Sequence, residues 1–302
     1  MIRIGVYGGS GYTGQELLRL LIGHPGAEVV AATSRRFAGV PVSAVYPVFA
    51  GLTDLLYTDA SPEEVAGIAD FIFLALPHGI SMEFAPIFIR AGRKVVDLSA
   101  DFRLRDAASY EAWYGRHTAA GTLGDAVYGL PELYREQIRN TRLVANPGCY
   151  PTSIILGLAP VLRSRWIDAV SVVADSKSGV SGAGRDPQIA SLFCEVEGGF
   201  KAYKIGQHRH TPEIEQELSL LAGREMKISF TPHLLPVKRG ILSTIYATLE
   251  QDVTAEEATA LYQTFYRKEP FVRICPAGQF PNLSSVVGSN YCDIGVTVDK
   301  RT

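Results

Sequence analysis

The chain opens on a β-branched run, Ile2-Arg3-Ile4-Gly5-Val6-Tyr7, which passes without a linker into Gly8-Gly9-Ser10-Gly11-Tyr12-Thr13-Gly14. Residues 14–22 follow as a helix whose Leu17, Leu18, Leu20 and Leu21 form one apolar face. A strand, a glycine turn and a helix in that order leave few folds open. Glycine permits the tight turn, and its missing side chain lets a pyrophosphate approach the backbone amides and the positive helix end. A second strand at residues 29–33, about 20 residues on, completes a βαβ unit of the dinucleotide-binding kind.

The same alternation continues through the first 145 residues. Residues 71–75 and 94–98 read as strands. A helix starts at Ser61, with Pro62 in its first turn and Glu63 and Glu64 favouring the positive end, and another spans about 80–90. After residue 146 the pattern changes to a helix at 150–163, longer strands at 170–174 and 243–249, and helices at 212–221 and 255–265. The expected fold is α/β: a Rossmann-type dinucleotide-binding domain over 1–145, then an α+β domain with a mixed sheet over 146–302. The second domain is expected to carry catalysis and oligomerisation.

Composition narrows the partners. Of 302 residues, 47% are hydrophobic and 20% charged, ordinary for a globular chain, and the formal charge of -2 offers no footprint for nucleic acid or an anionic membrane. A small-molecule substrate is expected. Met1 runs straight into the first strand and no apolar stretch approaches the roughly 20 residues of a membrane span, so a cytoplasmic protein is expected. Cys149, Cys194, Cys275 and Cys292 are far apart and lack paired ligand spacing, which predicts reduced thiols and no metal site.

An NAD-preferring site carries an acid at the end of the second strand, whereas here Thr33-Ser34-Arg35-Arg36 stands there. Ser34 and Arg35 offer donors that match a 2′-phosphate, which predicts NADP; the plainer alternative is a solvated surface turn. The cofactor residues read from the sequence are Gly8, Ser10, Gly11, Tyr12, Thr13, Gly14, Ser34 and Arg35, with Pro77 and His78 of Leu76-Pro77-His78-Gly79 lining the nicotinamide crevice. His78 needs no catalytic role.

Asn146-Pro147-Gly148-Cys149-Tyr150-Pro151-Thr152-Ser153 places a thiol at the mouth of the 150–163 helix, where unpaired N–H groups and the helix dipole favour a thiolate nucleophile. A small buried hydrophobe is the competing reading of such a cysteine. Three clusters accompany it. Asp97-Leu98-Ser99-Ala100-Asp101-Phe102-Arg103 offers Arg103 to an anion, or an Asp101–Arg103 turn pair. Ser178-Gly179-Val180-Ser181-Gly182-Ala183-Gly184-Arg185 is a small-residue cradle for phosphate or carboxylate, or an ordinary loop. Gly206-Gln207-His208-Arg209-His210-Thr211-Pro212-Glu213-Ile214 sets two imidazoles and a guanidinium before a helix capped by Thr211.

Gly8 to Gly14, the Asp97 to Arg103 stretch, Asn146 to Ser153, Ser178 to Arg185 and His208 to Ile214 together resemble the N-acetyl-gamma-glutamyl-phosphate reductase family, in the right order over nearly the whole chain. The resemblance implies NADPH-dependent reduction of N-acetyl-glutamyl 5-phosphate to the semialdehyde and phosphate in arginine biosynthesis, by a cytoplasmic homo-oligomer, dimer or tetramer. It implies Cys149 as the nucleophile, His208 or His210 as acid and base, and Ser178 and Gly179 at the cofactor. Arg103, Ser181, Arg185 and Arg209 are the expected substrate contacts. Members of the family normally continue past the strand expected at 292–298 into a further strand and a long helix, whereas this sequence stops at Lys300-Arg301-Thr302.

Two other readings compete. A related acyl-phosphate reductase, such as aspartate-semialdehyde dehydrogenase, or a reductase of a carrier-linked analogue would use the same chemistry. A weakly active nucleotide-binding homologue belongs to a different class, and retention of Cys149 with both histidines argues against it.

Overall fold

Strand β1 (Ile2–Tyr7) buries Ile4 and Val6 on one face and Tyr7 on the other, as a strand covered on both faces must. The computed structural model describes residues 1–302, in two compact units, Met1–Pro147 and Gly148–Thr302. In the first unit β1 is followed by α1 (Tyr12–Leu21), β2 (Ala27–Thr33), α2 (Val42–Val45), β3 (Tyr57–Thr58), α3 (Pro62–Ile68) and β4 (Phe71–Leu74). Then come α4 (Ser81–Arg90), β5 (Lys94–Asp97), α5 (Ala107–Tyr114), β6 (Ala126–Tyr128), α6 (Pro131–Asn140) and β7 (Leu143–Ala145). The seven strands form one parallel sheet in the order β3-β2-β1-β4-β5-β7-β6.

Strand order reverses at β1, which pairs with β2 on one side and β4 on the other. Ligands of such sheets sit in the crevice at the carboxyl ends of those strands. The turn after β1 is built for close approach: Gly8 has φ +74, and a Cβ there would lie 2.2 Å from the Ala75 carbonyl oxygen. A Cβ on Gly14 would lie 2.3 Å from the Gly8 oxygen, so α1 can seat against its own turn only with glycine there. Helix α3 begins as the sequence suggests, with Ser61 and Glu64 exchanging hydrogen bonds in a capping box.

The second unit runs α7 (Cys149–Arg163), β8 (Val173–Gly179), α8 (Phe193–Val196), β9 (Lys201–Ala202), α9 (Thr211–Ala222), β10 (Ser229–Leu235), β11 (Ile241–Tyr246), α10 (Ala255–Tyr266), β12 (Val272–Ile274) and β13 (Cys292–Ile294). Its main sheet has the order β11-β8-β10-β9, with β8 parallel to β10 and the outer pairs antiparallel, and β12 pairs with β13 apart from it. Helix α7 is the core of this unit, burying Ile154, Ile155, Leu158 and Leu162. Pro160 lies inside it and has no N–H, so the Leu156 carbonyl four residues back loses its helical donor. The Tyr266 hydroxyl of α10 donates to that oxygen at 2.6 Å.

Three local expectations shift. The strand expected at 170–174 is β8, starting at Val173: Asp168 and Ser171 close a turn through the Ser171 hydroxyl, and Val170 is 76% exposed. Ser178 and Gly179 therefore end a strand, and only Val180–Ala183 form the expected turn, as one 3-10 stretch. The expected strand at 292–298 is limited to Cys292–Ile294 by its three-residue partner β12.

Replacing Tyr266 by Phe should strand the buried Leu156 carbonyl and cost about 1–3 kcal/mol. A lowered urea midpoint with an unchanged m-value is the expected observation; a midpoint within error of the parent would show that Pro160 needs no such donor.

Candidate active site

Cys149 is the first residue of α7, with Gly148 at the N-cap in an extended conformation and no side chain capping the helix. It is exposed and forms no disulfide. Pro151 in the first turn has no N–H to satisfy, while the Gly148 N–H donates to the Glu213 carboxylate at 2.7 Å. Thr152 closes the turn by donating from its hydroxyl to the Gly148 oxygen at 2.9 Å.

Both histidines lie in the same unit, just before α9. Their rings are 4.8 Å apart, and the His210 backbone N–H donates to His208 Nδ1 at 3.1 Å. Tyr150, Tyr203 and Phe230 surround His208 edge-on at centroid distances of 5.5, 5.7 and 5.4 Å. Burial among these rings, followed by the nearby His210 and Lys204, pushes the His208 pKa down to about 3, with Glu213 acting in the opposite sense. His208 is therefore neutral at physiological pH. With Nδ1 accepting, its proton sits on Nε2.

The phenol groups share this environment. Tyr150 and Tyr203 hydroxyls lie 3.0 Å apart, and Tyr150 also donates to the His233 carbonyl at 3.3 Å. Burial and then the neighbouring phenol hold the Tyr150 pKa well above its ordinary value, with the Cys149 charge acting in the same direction. Tyr150, Tyr203, Phe230 and Glu213 thus belong to the cluster, although only their neighbours stood out in the sequence. Glu213 follows His210 by three residues and reads locally as a dipole-compensating acid in a first helical turn. The helix is not capped by Thr211, as its sequence suggests: His210 occupies the N-cap without a side-chain bond, and Thr211 is already helical.

The remaining residues read from the sequence take separate places. Ser178 is buried, donating to the Gly179 carbonyl at 3.0 Å, and Gly179 closes on the 237–240 loop, where a Cβ would meet Arg239 N at 2.8 Å. Ser181 is half-buried, while Arg185 and Arg209 are exposed. In the first unit Arg103 is buried, donating from Nε to the Asn146 oxygen at 2.7 Å and from an Nη to the Leu98 oxygen at 2.9 Å. The Asp101 carboxylate accepts from the Gly79 and Met82 amides and the Tyr110 hydroxyl.

The glycine turn of that unit fits a dinucleotide. No side chain caps α1, Tyr12 and Thr13 are exposed, and a Cβ on Gly11 would meet nothing nearer than 3.6 Å, so the open first turn can receive a pyrophosphate. Ser34 is buried at the end of β2 with its hydroxyl 2.8 Å from that of Ser10, and the exposed Arg35 follows in a short 3-10 turn. Pro77 and His78 are exposed past β4, where His78 Nδ1 accepts from the Ala100 N–H at 2.9 Å.

Comparison with known proteins agrees with this arrangement. Residues 3–141 match the family model for the semialdehyde dehydrogenase NAD binding domain, and residues 149–302 the one for the semialdehyde dehydrogenase dimerisation domain. The chain is 57% identical over 303 residues to the N-acetyl-gamma-glutamyl-phosphate reductase of Desulfotalea psychrophila, and 55% identical over 302 residues to that of Syntrophobacter fumaroxidans. Each comparison covers 100% of this chain and 88% of the relative. In fold it is similar to aspartate semialdehyde dehydrogenase II from Vibrio cholerae, with a TM-score of 0.73 at 15% identity over 100% of this chain and 90% of that one. The Candida albicans aspartate semialdehyde dehydrogenase, solved with NADP, gives 0.71 at 16% over 98% and 88%.

Fold and site define an oxidoreductase that binds a nicotinamide dinucleotide on a parallel sheet and carries a separate dimerisation domain. The chain belongs to the semialdehyde dehydrogenase family, among its N-acetyl-gamma-glutamyl-phosphate reductases. No helix is long and apolar enough to cross a membrane.

The neutral His208 carries a pH signature. An unfolded histidine takes up a proton near pH 6.5, whereas folded His208 resists protonation to about 3, so its contribution to stability is complete above 6.5 and is lost as pH falls toward 3. Urea midpoints should therefore drop more steeply between pH 7 and 5 for the parent than for His208→Asn. Parallel pH slopes in the two proteins would mean that His208 is not held neutral.

Proposed function

We propose that this protein reduces N-acetyl-L-glutamyl 5-phosphate to N-acetyl-L-glutamate 5-semialdehyde and phosphate with NADPH, as in arginine biosynthesis. The observation that carries this reading is the exposed thiol at the first position of α7, in one cluster with a histidine pair, in a chain that matches reductases of that name from end to end. The family's dimerisation domain supports a homo-oligomer.

Cys149 Sγ attacks the acyl carbon, a C–S bond forms, and the C–O bond to phosphate breaks with its electron pair leaving on phosphate. NADPH supplies the hydride that reduces the resulting thioester. The Cys149 thiohemiacetal then loses a proton from its oxygen and breaks its C–S bond, giving the aldehyde and returning the thiolate. Covalent capture divides one difficult reduction into two easier steps. The helix N-terminus at Cys149 favours the thiolate and any oxyanion that forms there.

The two histidines divide the proton work. His208 Nδ1 is occupied by the His210 N–H and the ring stays neutral, so His208 serves as an Nε2–H donor that orients the substrate oxygen. His210 is then the acid and base that exchanges the thiohemiacetal proton. Exposed Arg185 and Arg209, with Ser181, are suited to the substrate's phosphate and carboxylate. Arg103 acts through the backbone carbonyls it holds. Ser34 and Arg35 select the 2′-phosphate of NADP.

Assayed in reverse with phosphate and NADP⁺, the protein should oxidise N-acetyl-glutamate semialdehyde much faster than aspartate semialdehyde. Arg35→Ala should weaken NADPH about ten- to a hundredfold while leaving NADH binding unchanged. A preference for aspartate semialdehyde would overturn the substrate, and an unchanged cofactor ratio would overturn the role of Arg35.

A further inference from the structure

Glu213 is 1% exposed, and its Oε1 accepts from the Gly148 N–H at 2.7 Å. It occupies the third position of α9, where an acid ordinarily turns back to its own helix start. Here it reaches the residue immediately before Cys149. Burying a carboxylate is costly, and a cap or a surface acid would serve α9 alone without that cost.

We propose that Glu213 is a positioning residue for the nucleophile: by accepting the Gly148 N–H it fixes the N-cap of α7, and with it the Cys149 thiol, in register with the histidine pair from which α9 starts. Gly148 carries no side chain to cap or hold this turn, so its N–H is the group by which the turn can be tied from outside. The same short segment, His208 to Glu213, then presents both imidazoles and the clamp that holds the thiol's loop. A displacement of about 1 Å between reacting groups can cost on the order of 10²-fold in rate.

The proposal rests on the reductase reading above, and its test separates the two. Glu213→Gln and Glu213→Leu both remove the charge, but only Gln keeps an acceptor of the right reach, so their comparison isolates the hydrogen bond. In the reverse assay the Leu variant should fall about 10²-fold below the Gln variant in kcat, with KM for NADP⁺ within a few-fold of the parent in both. Should the Leu variant fail to fold, Glu213→Asp replaces it, because the shorter acid keeps the charge and loses the reach; its kcat should fall at least tenfold.

Alkylation of Cys149 by iodoacetamide, read from the mass of its tryptic peptide, makes the same comparison without substrate. The Gln variant should react several-fold faster than the Leu or Asp variant. If the parent lacks the proposed activity yet this ordering holds, the reductase reading fails and the positioning role stands. Equal kcat and equal alkylation in the acceptor-bearing and acceptor-lacking variants would overturn it, as would a Gln variant as impaired as the Leu one.

Discussion

Helix α7 depends on hydrogen bonds that its own backbone cannot make, and the placement of Cys149 follows from them. Pro160 deprives the Leu156 carbonyl of a donor, and Tyr266 supplies one; Tyr262 donates to the next carbonyl, that of Gly157. At the other end Glu213 takes the Gly148 N–H. Between them Ser153 donates to the Tyr150 carbonyl and shares a hydroxyl contact of 2.7 Å with Ser243, which shares another with Ser176. The helix is thus pinned by α9, α10 and two strands of the mixed sheet. Gly157 faces β11, where a Cβ would meet the tip of the Ile245 side chain at 2.9 Å. The backbone at the first position of so constrained a helix, where Cys149 stands, is held in place.

The histidine pair shows how packing divides two like residues. Both rings touch Tyr150, and His208 also meets Tyr203 and Phe230 and accepts a backbone N–H. Burial among the rings lowers its pKa and favours the neutral imidazole. Two imidazoles two residues apart thus stand in different surroundings, and the proposed division of their roles rests on that difference.

Much of this was readable before the structure because the signals were local. The run from Ile2 to Gly14 needs a strand, a φ-positive glycine and a helix in succession, and Ser61-Pro62-Glu63-Glu64 announces its own cap. Where neighbours decide, the sequence misled or was silent. Val170 is as apolar as a strand residue but stands exposed above the Asp168–Ser171 turn. The three-residue strands β6 and β7 exist because the sheet beside them supplies partners, and no periodicity marks so short a run. Glu213 looks like an ordinary first-turn acid until the partner 65 residues earlier is seen. Arg103 resembles an anion clamp in the sequence, and the structure adds bonds from its guanidinium to backbone carbonyls that no local pattern announces.

The central claim is that Cys149 carries the acyl group between loss of phosphate and reduction. Peptide mass spectrometry of protein incubated with N-acetyl-glutamyl phosphate in the absence of nucleotide tests it most directly. The account predicts an acyl adduct on the Cys149 peptide that hydroxylamine removes, that fails to form in Cys149→Ser, and that disappears when NADPH is added. An active protein with no adduct at Cys149, or with the acyl group on another residue, would contradict it.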